Sequence, residues 1–545
     1  MVPALHPPAG FRGVFRDDAL ARAVYSEAAG VARIVPRAVA VPEDADDVVS
    51  LVRWAAATRV PLIARGSGSS MANGAVGDGV IVDLGRLDSI SHPAPGARHI
   101  VAGAAAVRDR IQRAALDIDM TFPVDPSSSA FATIGGMVAT HAAGSRTVKY
   151  GPLREWIEGV ECVFGDGTRS WLRRGGAVPA VPALERFVRS VAPQLIASPA
   201  AALRLHGVRK NASGYALDAF ARTGDLVDLI IGSEGTLAII TAVEVRLTPL
   251  PFATASLLAG FADLEHAVAT AVTLAERGAS AVELLDRTFL EIAESGGRSL
   301  ALPAGLEAVL IVEAETQDEM EVRHFVESLK DACSEGGAVH VETAMSPADE
   351  TRIWGLRHAA SPILNELAPR LQSMQLIEDG CVPPAKFAEY VREVRAALAR
   401  ARFRGVIFGH AGDAHAHVNA LVDTGEADWR ARCEQLLEDV TALVARLGGT
   451  LTGEHGDGRL RTPLMARVWP AEVLALFAAT KAAFDPDGVL NPGVKVALPE
   501  ATALGAIKYD PSLDALPAEA REVLDLVVRE KAWARHRLSL LQPLP

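Results

Sequence analysis

Phe408-Gly409-His410-Ala411-Gly412-Asp413-Ala414-His415-Ala416-His417-Val418-Asn419 brings three histidines within eight residues, beside a carboxylate and an amide. Val406, Ile407 and Phe408 lead in and read as a short buried strand that stops at Gly409. Ala411 to Ala414 is a turn, with Gly412 and Asp413 supplying the turn chemistry. Beyond it His415, His417 and Asn419 alternate with Ala416 and Val418, so at strand period two the polar side chains share a face. If the turn closes an antiparallel hairpin, His410 lies opposite that face. Imidazoles on two neighbouring strands can then converge on one metal ion.

A further ligand is available downstream. Gly448-Gly449-Thr450-Leu451-Thr452-Gly453-Glu454-His455-Gly456-Asp457-Gly458 carries a Glu-His pair between glycines, which let a backbone come close to another group. Two histidines and one glutamate make a divalent-metal site with positions left open for substrate.

The composition bounds what such a site can serve. With 545 residues, 49% apolar and 22% charged, the chain has the make-up of a globular protein of two to four domains. The net charge is −13 and there is no Lys/Arg stripe, which excludes nucleic acid as a natural partner. Met1 to Pro8 has neither a basic start nor an apolar core, so it is no secretory signal. No run of eighteen apolar residues exists to cross a bilayer. Cys162, Cys333, Cys381 and Cys433 are scattered without a Cys-x-x-Cys pair, which argues against an iron–sulfur cluster or zinc ribbon and for a reducing cytoplasm.

Towards the N-terminus, Ile34 to Val41 is extended, Pro42-Glu43-Asp44 starts a helix, and Val60 to Ala64 is the next strand. That strand runs into Arg65-Gly66-Ser67-Gly68-Ser69-Ser70, whose backbone N–H groups can form an anion nest. It is neither a Rossmann fingerprint nor a Walker loop. A longer stretch of small residues runs from Pro123 through Asp125, Ser129, Thr133, Gly135 and Gly136 to His141 and Ser145, and would line a large flat ligand. In a third, Ile230 to Ile240, a strand, a tight turn at Gly232-Ser233-Glu234-Gly235-Thr236 and another strand are expected to meet.

These three stretches resemble the FAD-contact stretches of the vanillyl-alcohol oxidase/p-cresol methylhydroxylase flavoproteins. The 409–419 segment, Gly453-Glu454-His455-Gly456 and Asn491-Pro492-Gly493-Val494-Lys495 resemble the C-terminal part of one branch. That branch holds D-lactate dehydrogenases, D-2-hydroxyglutarate dehydrogenases and the glycolate oxidase flavin subunit. The resemblance covers roughly residues 30 to 497, with six motifs in order. It implies an α+β fold: a two-lobed PCMH-type FAD-binding domain over 1–250, then a cap domain over 251–470 with a large antiparallel sheet and flanking helices. A return to the flavin over 471–500 and a helical tail over 501–545 follow.

The resemblance also implies roles. FAD would contact Arg65, Gly66, Ser67, Gly68, Ser69 and Ser70 in the first stretch. In the second it would contact Pro123, Asp125, Ser129, Thr133, Gly135, Gly136, His141 and Ser145. Gly235, Ile239, Glu454 and Asn491 complete the set. His410, His417 and Glu454 would hold a divalent metal (Zn, Mn or Fe), and His455 would be the general base. Asn419 would contact the substrate or steady the site, and Arg357, in Trp354-Gly355-Leu356-Arg357, would pair with the substrate carboxylate.

Three departures stand out. Asp413-Ala414-His415 replaces the usual Asp-Gly-Asn, so His415 adds a nitrogen and leaves the choice of ligating histidines open. The segment Gln375 to Pro383 lacks the lysine of the hydroxyglutarate enzymes. His141 stands where Asn is usual, and the first stretch has no histidine to tether the flavin, so non-covalent FAD is expected.

The reading is a metal-assisted FAD-dependent dehydrogenase that converts a D-2-hydroxy acid, of the D-lactate or glycolate type, to the 2-oxo acid. Two alternatives stay open: an alcohol or sugar oxidase on the same scaffold, and a non-catalytic flavin subunit of a larger redox complex. Expected partners are the small 2-hydroxy acid, an iron–sulfur or other electron-accepting protein, and further copies of the chain. Peripheral membrane association is left open. In the tail, Val523, Leu524, Val527 and Val528 make an apolar stripe that either packs back on its own domain or docks the acceptor.

Overall fold

The computed structural model describes residues 5–198, 204–205, 207–295, 302–357 and 371–541. The ends of the outermost segments, 1–4 and 542–545, fall outside this range. The described residues build two four-stranded sheets, a two-stranded pair of Met120–Thr121 with Thr248–Pro249, and a large sheet. In the first lobe Ala38–Val41, Val80–Asp83 and Leu62–Arg65 pair in parallel, with Val14–Arg16 antiparallel at the edge. Parallel strands are covered on both faces, which is why these segments read as unbroken apolar runs. The connecting helix Ala45–Thr58 begins at Asp44, whose carboxylate accepts the N–H groups of Asp46 and Asp47. The second lobe is an antiparallel sheet in the order His99–Gly103, Ala238–Arg246, Ile157–Phe164, Arg169–Arg173.

One detail departs from expectation. The approach to the third flavin stretch is the short helix Val227–Ile230, not a strand. A short apolar run does not distinguish helix from strand by its pattern. Here the Asp225 carboxylate accepts the Val227 N–H at 2.9 Å and starts a helical turn.

The cap sheet has seven strands in its main path. The order is Ala338–Ala344, Ala253–Phe261, Ala308–Thr316, Ala281–Asp286, Arg404–Gly409, His415–Asp423, Leu371–Met374. Gly380–Cys381 pairs with the start of His415–Asp423. All its pairings are antiparallel. Along each strand alternate residues change face. Leu257, Val282, Leu284, Leu310, Val312, Ile407, Ala416 and Val418 form one core with the helices Leu264–Glu276, Glu319–Glu335, Phe387–Arg400 and Trp429–Leu447. The opposite face carries Leu258, Leu285, Ile311 and Val406. By the same alternation it also carries Glu283, Glu313, His417 and Asn419, all buried. The helix Trp429–Leu447 ends at Gly448, whose φ of 71° supplies the left-handed cap.

The C-terminal return stitches the lobes together. Leu490 bridges Leu62, and the Asn491 side chain donates to the carbonyls of Gly74 and Glu234. Of the two readings of the tail stripe, the structure takes the first, packing back on its own domain. Helix Ala518–Arg529 buries Ala520, Val523, Leu524 and Val527 and packs on helix Ala19–Val24, leaving only Val528 of the four stripe residues exposed. No described helix is long and apolar enough to cross a membrane.

Candidate active site

The hairpin read from the sequence forms: Phe408 pairs with His417, Val406 with Asn419, and a single 3-10 turn at Ala411–Asp413 joins the strands. One donor atom from each of His410, His415, His417 and Glu454 lies within 4.8 Å of the others, all buried. Each histidine has its other nitrogen engaged. His410 Nδ1 contacts Glu283 Oε1 at 2.5 Å, His417 Nδ1 donates to the Glu378 carbonyl at 2.9 Å, and His415 Nε2 meets Asp379 Oδ1 at 2.8 Å. That leaves His410 Nε2 and His417 Nε2 facing Glu454 Oε1 at 3.2 and 3.4 Å. His415 Nδ1 is buried with no protein partner. Fixing the outward nitrogen of a ligating histidine by a carboxylate or carbonyl is how metal sites set tautomer and orientation. The donor set and the orphaned His415 nitrogen therefore fit a divalent cation.

The electrostatics agree with that fit. Burial alone would raise Glu454, but Lys210 and His410 hold its carboxyl well below the usual range. Lys210 Nζ lies 3.1 Å from Glu454 Oε2 and 3.3 Å from Asp413, and donates to the Gly144 carbonyl, joining the second flavin stretch to the cluster. Burial pushes His415 down to about 4, so its imidazole is neutral. His455 is different. Burial works against its charge, yet Asp379 and Glu378 outweigh it and hold the imidazole up to about 9. A cation beside Glu454 would oppose that pull. His455 Nδ1 donates to Glu378 Oε2 at 2.6 Å, the ring stacks on His417 at 5.2 Å, and it is the one partly exposed member of the group.

Asn419 is buried on the same strand face as His417. Arg357 sits at the end of helix Pro347–Arg357 with its guanidinium over Phe408, and its Nε donates to Glu283, the same carboxylate that meets His410. The expected substrate clamp is thus tied to the histidine's own partner, while its side chain also reaches a cavity of about 570 Å³. That cavity is lined from the second flavin stretch by Pro123, Asp125, Ser129 and Ser145, and from the cap by Glu315, Trp354 and Arg357. None of the clustered histidines lines it.

The three stretches read as flavin contacts lie against one another. A Cβ on Gly66 would lie 2.2 Å from Thr133 Oγ1, so the first two stretches touch there. A Cβ on Gly135 would lie 2.7 Å from Ala104, and one on Gly136 would meet Thr133 Oγ1 at 3.1 Å. Ser67 and Ser69 hydroxyls lie 3.0 Å apart, and Gly68 lies against the Arg65 guanidinium. Gly235 faces Ala64, and Ile239 is buried in strand Ala238–Arg246. Ser70 Oγ, Thr133 Oγ1, His141 Nε2 and Ser233 Oγ are buried without partners in the protein. Four orphaned polar atoms on these three stretches fit a bound dinucleotide. Arg65 does not join them: its guanidinium donates to the Glu27 and Ala75 carbonyls and lies over Tyr25.

Against this geometry the comparisons are consistent. The FAD binding domain matches residues 36–173, and the C-terminal domain of FAD linked oxidases matches residues 250–494, together most of the chain. The chain belongs to the FAD-linked oxidases. It is 29% identical to the glycolate oxidase subunit GlcD of Bacillus subtilis over 484 residues, covering 88% of this chain and 93% of that one. It is also 29% identical to a D-lactate dehydrogenase of Archaeoglobus fulgidus over 470 residues, covering 84% and 92%. The solved 4-ethylphenol oxidase from Gulosibacter chungangensis, in its isoeugenol complex, shares the fold. The TM-score is 0.66 at 15% identity, over 89% of this chain and 94% of that one. This FAD-linked oxidase is thus of the D-lactate, glycolate and D-2-hydroxyglutarate dehydrogenase type.

Sequence reasoning missed several residues that build the site: Lys210, Glu283, Glu378, Asp379 and Arg461. Arg461 donates to Glu378 from the buried side. The readable signal was a carboxylate inside an apolar run. Glu283 lies between Val282 and Leu284, and Glu378-Asp379 follows Leu376-Ile377. Such acids are almost never fully buried unless paired.

Proposed function

We propose that the chain oxidises a D-2-hydroxy acid of the lactate or glycolate kind to its 2-oxo acid. The observation that carries this reading is the cluster of His410, His415, His417 and Glu454 beside His455, each imidazole oriented by a fixed partner. When bound, FAD supplies the hydride acceptor, and a divalent cation supplies a positive centre for a carboxylate and its neighbouring hydroxyl. His410, His417 and Glu454 would hold the cation, with His415 Nδ1 as a further donor. His455 keeps Nδ1 on Glu378, and with a cation offsetting the pull of Asp379 and Glu378 its free Nε2 would be the atom that takes the hydroxyl proton. Glu378 orients that ring as the carboxylate of a catalytic triad orients its histidine. Arg357 secures Glu283, the partner of His410, and would pair its guanidinium with the substrate carboxylate.

A neutral alcohol or sugar needs neither the cation cluster nor Arg357. The relative from B. subtilis is called a subunit, which supports transfer of electrons onward to a partner protein. The four cysteines here are buried and free, so they offer no exposed thiols for a cluster. The test is anaerobic bleaching of the flavin band with a panel of D- and L-2-hydroxy acids and neutral alcohols. Bleaching by a D-2-hydroxy acid is expected. Bleaching by alcohols alone would replace this reading with the oxidase alternative.

A further inference from the structure

Residues past 500 lie beyond both matched segments, yet they reach back to the flavin lobes at three places. First, Leu504 and Ile507 are buried in the cap core, where Arg430 donates to the Leu504 carbonyl and to Asp510. The same run is held by the first lobe, through Arg33 N to the Ala506 carbonyl and Lys508 N to the Val31 carbonyl, at 3.0 and 2.7 Å. It therefore ties cap to flavin domain. Second, Ala520, Val523 and Leu538 pack with Val39, Val41, Ile63 and Ile81 of the first-lobe strands.

The third place bears on the cofactor. Arg537 N donates to the Tyr25 hydroxyl at 2.8 Å, and Arg537 Nη1 donates to the carbonyls of Val24 and Glu27 at 2.7 and 2.6 Å. Arg65, first residue of the first flavin stretch, donates to that same Glu27 carbonyl and lies over the Tyr25 ring. Trp533, beneath the Arg537 guanidinium at 5.7 Å, meets Phe131 with ring centroids 6.0 Å apart. Phe131 belongs to the second flavin stretch, between Ser129 and Thr133. Trp533 thus touches the second stretch directly, and Arg537 reaches the first through Tyr25 and the Glu27 carbonyl, which Arg65 shares.

We propose that residues 531–541 act as a clamp that holds the first and second flavin stretches together and so retains FAD, with Trp533 and Arg537 as positioning residues. FAD leaves only when the stretches part, and the tail opposes that parting through side chains that need not touch the flavin. The idea rests on FAD lying against these stretches and not on which acid is oxidised. Its failure therefore says nothing about the substrate.

The experiment follows FAD release from full-length holoenzyme into an excess of a FAD-scavenging apoprotein, by flavin fluorescence. Trp533 is only half-buried, so Trp533→Ala opens no core cavity. It should release FAD about threefold to tenfold faster, as loss of one aromatic pair acting on the dissociation rate predicts. Trp533→Phe should restore slow release. The thermal midpoint of FAD-stripped Trp533→Ala should equal that of FAD-stripped wild type. Unchanged release from both Trp533→Ala and Arg537→Gln would overturn the proposal. So would faster release matched by an equal loss of stability in the stripped protein, which would make the tail a structural element only.

Discussion

On the flavin side, Ser70, Thr133, His141 and Ser233 each leave a buried polar atom without a protein partner. In the cap, the outward nitrogens of His410, His415, His417 and His455 all meet fixed acceptors. The first region uses backbone approach and many weak contacts spread over three stretches. The second concentrates charge on a few side chains that depend on one another. Loss of one partner of a buried charge pair is costly because it leaves the other uncompensated. Single changes should therefore act steeply in the cap and gradually on the flavin side.

The steepest case is His455→Ala. It should slow flavin reduction by a 2-hydroxy acid about 10²–10⁴-fold in anaerobic rapid mixing, with FAD and metal content unchanged. Loss of FAD in that variant would mean that the two regions are not separable. Next is Glu283→Gln, which removes the anion between His410 and Arg357. Metal titration should show affinity reduced about 10–100-fold, as for other partners of ligating histidines. On the flavin side Gly66→Ala forces Thr133 to move. At about 1–3 kcal/mol for overpacking, FAD affinity should fall about tenfold or somewhat more, with metal binding intact by the same titration.

The smallest effect comes from one strand that holds both kinds of acid. Glu283 is kept ionised by His410 and Arg357 against its burial. Asp286 accepts only backbone N–H bonds from Phe289 and Ile407, and burial pushes it up to about 7. Its folded pKa lies above the unfolded value, so its contribution to stability is fully present below about pH 3.9 and is lost as pH rises through about 7. Asp286→Asn should therefore flatten the dependence of Tm on pH between about 4 and 8. An unchanged slope would show that this acid is not held neutral.

The hairpin was legible because period two and a Gly-Asp turn specify both the pairing and the shared face of His415, His417 and Asn419. The approach at Val227–Ile230 was not, since four residues are too few to show a period. Nor was the protein partner of Arg357. Glu283 lies 74 residues away, and only the packing of helix Pro347–Arg357 against the sheet brings them together. Lys210 escaped for the same reason, its carboxylate partner being 244 residues distant. The clustered histidines could be read locally, but the residues that orient them are long-range.

The most direct test of the cap cluster is metal and flavin content measured on the same dialysed samples of wild type and His417→Ala. A stoichiometric divalent ion beside FAD is predicted in wild type, and FAD without the ion in His417→Ala. Acid-dependent turnover of wild type should be abolished by a chelator and restored by zinc, manganese or iron. Active wild type with no divalent ion, indifferent to the chelator, would contradict the account.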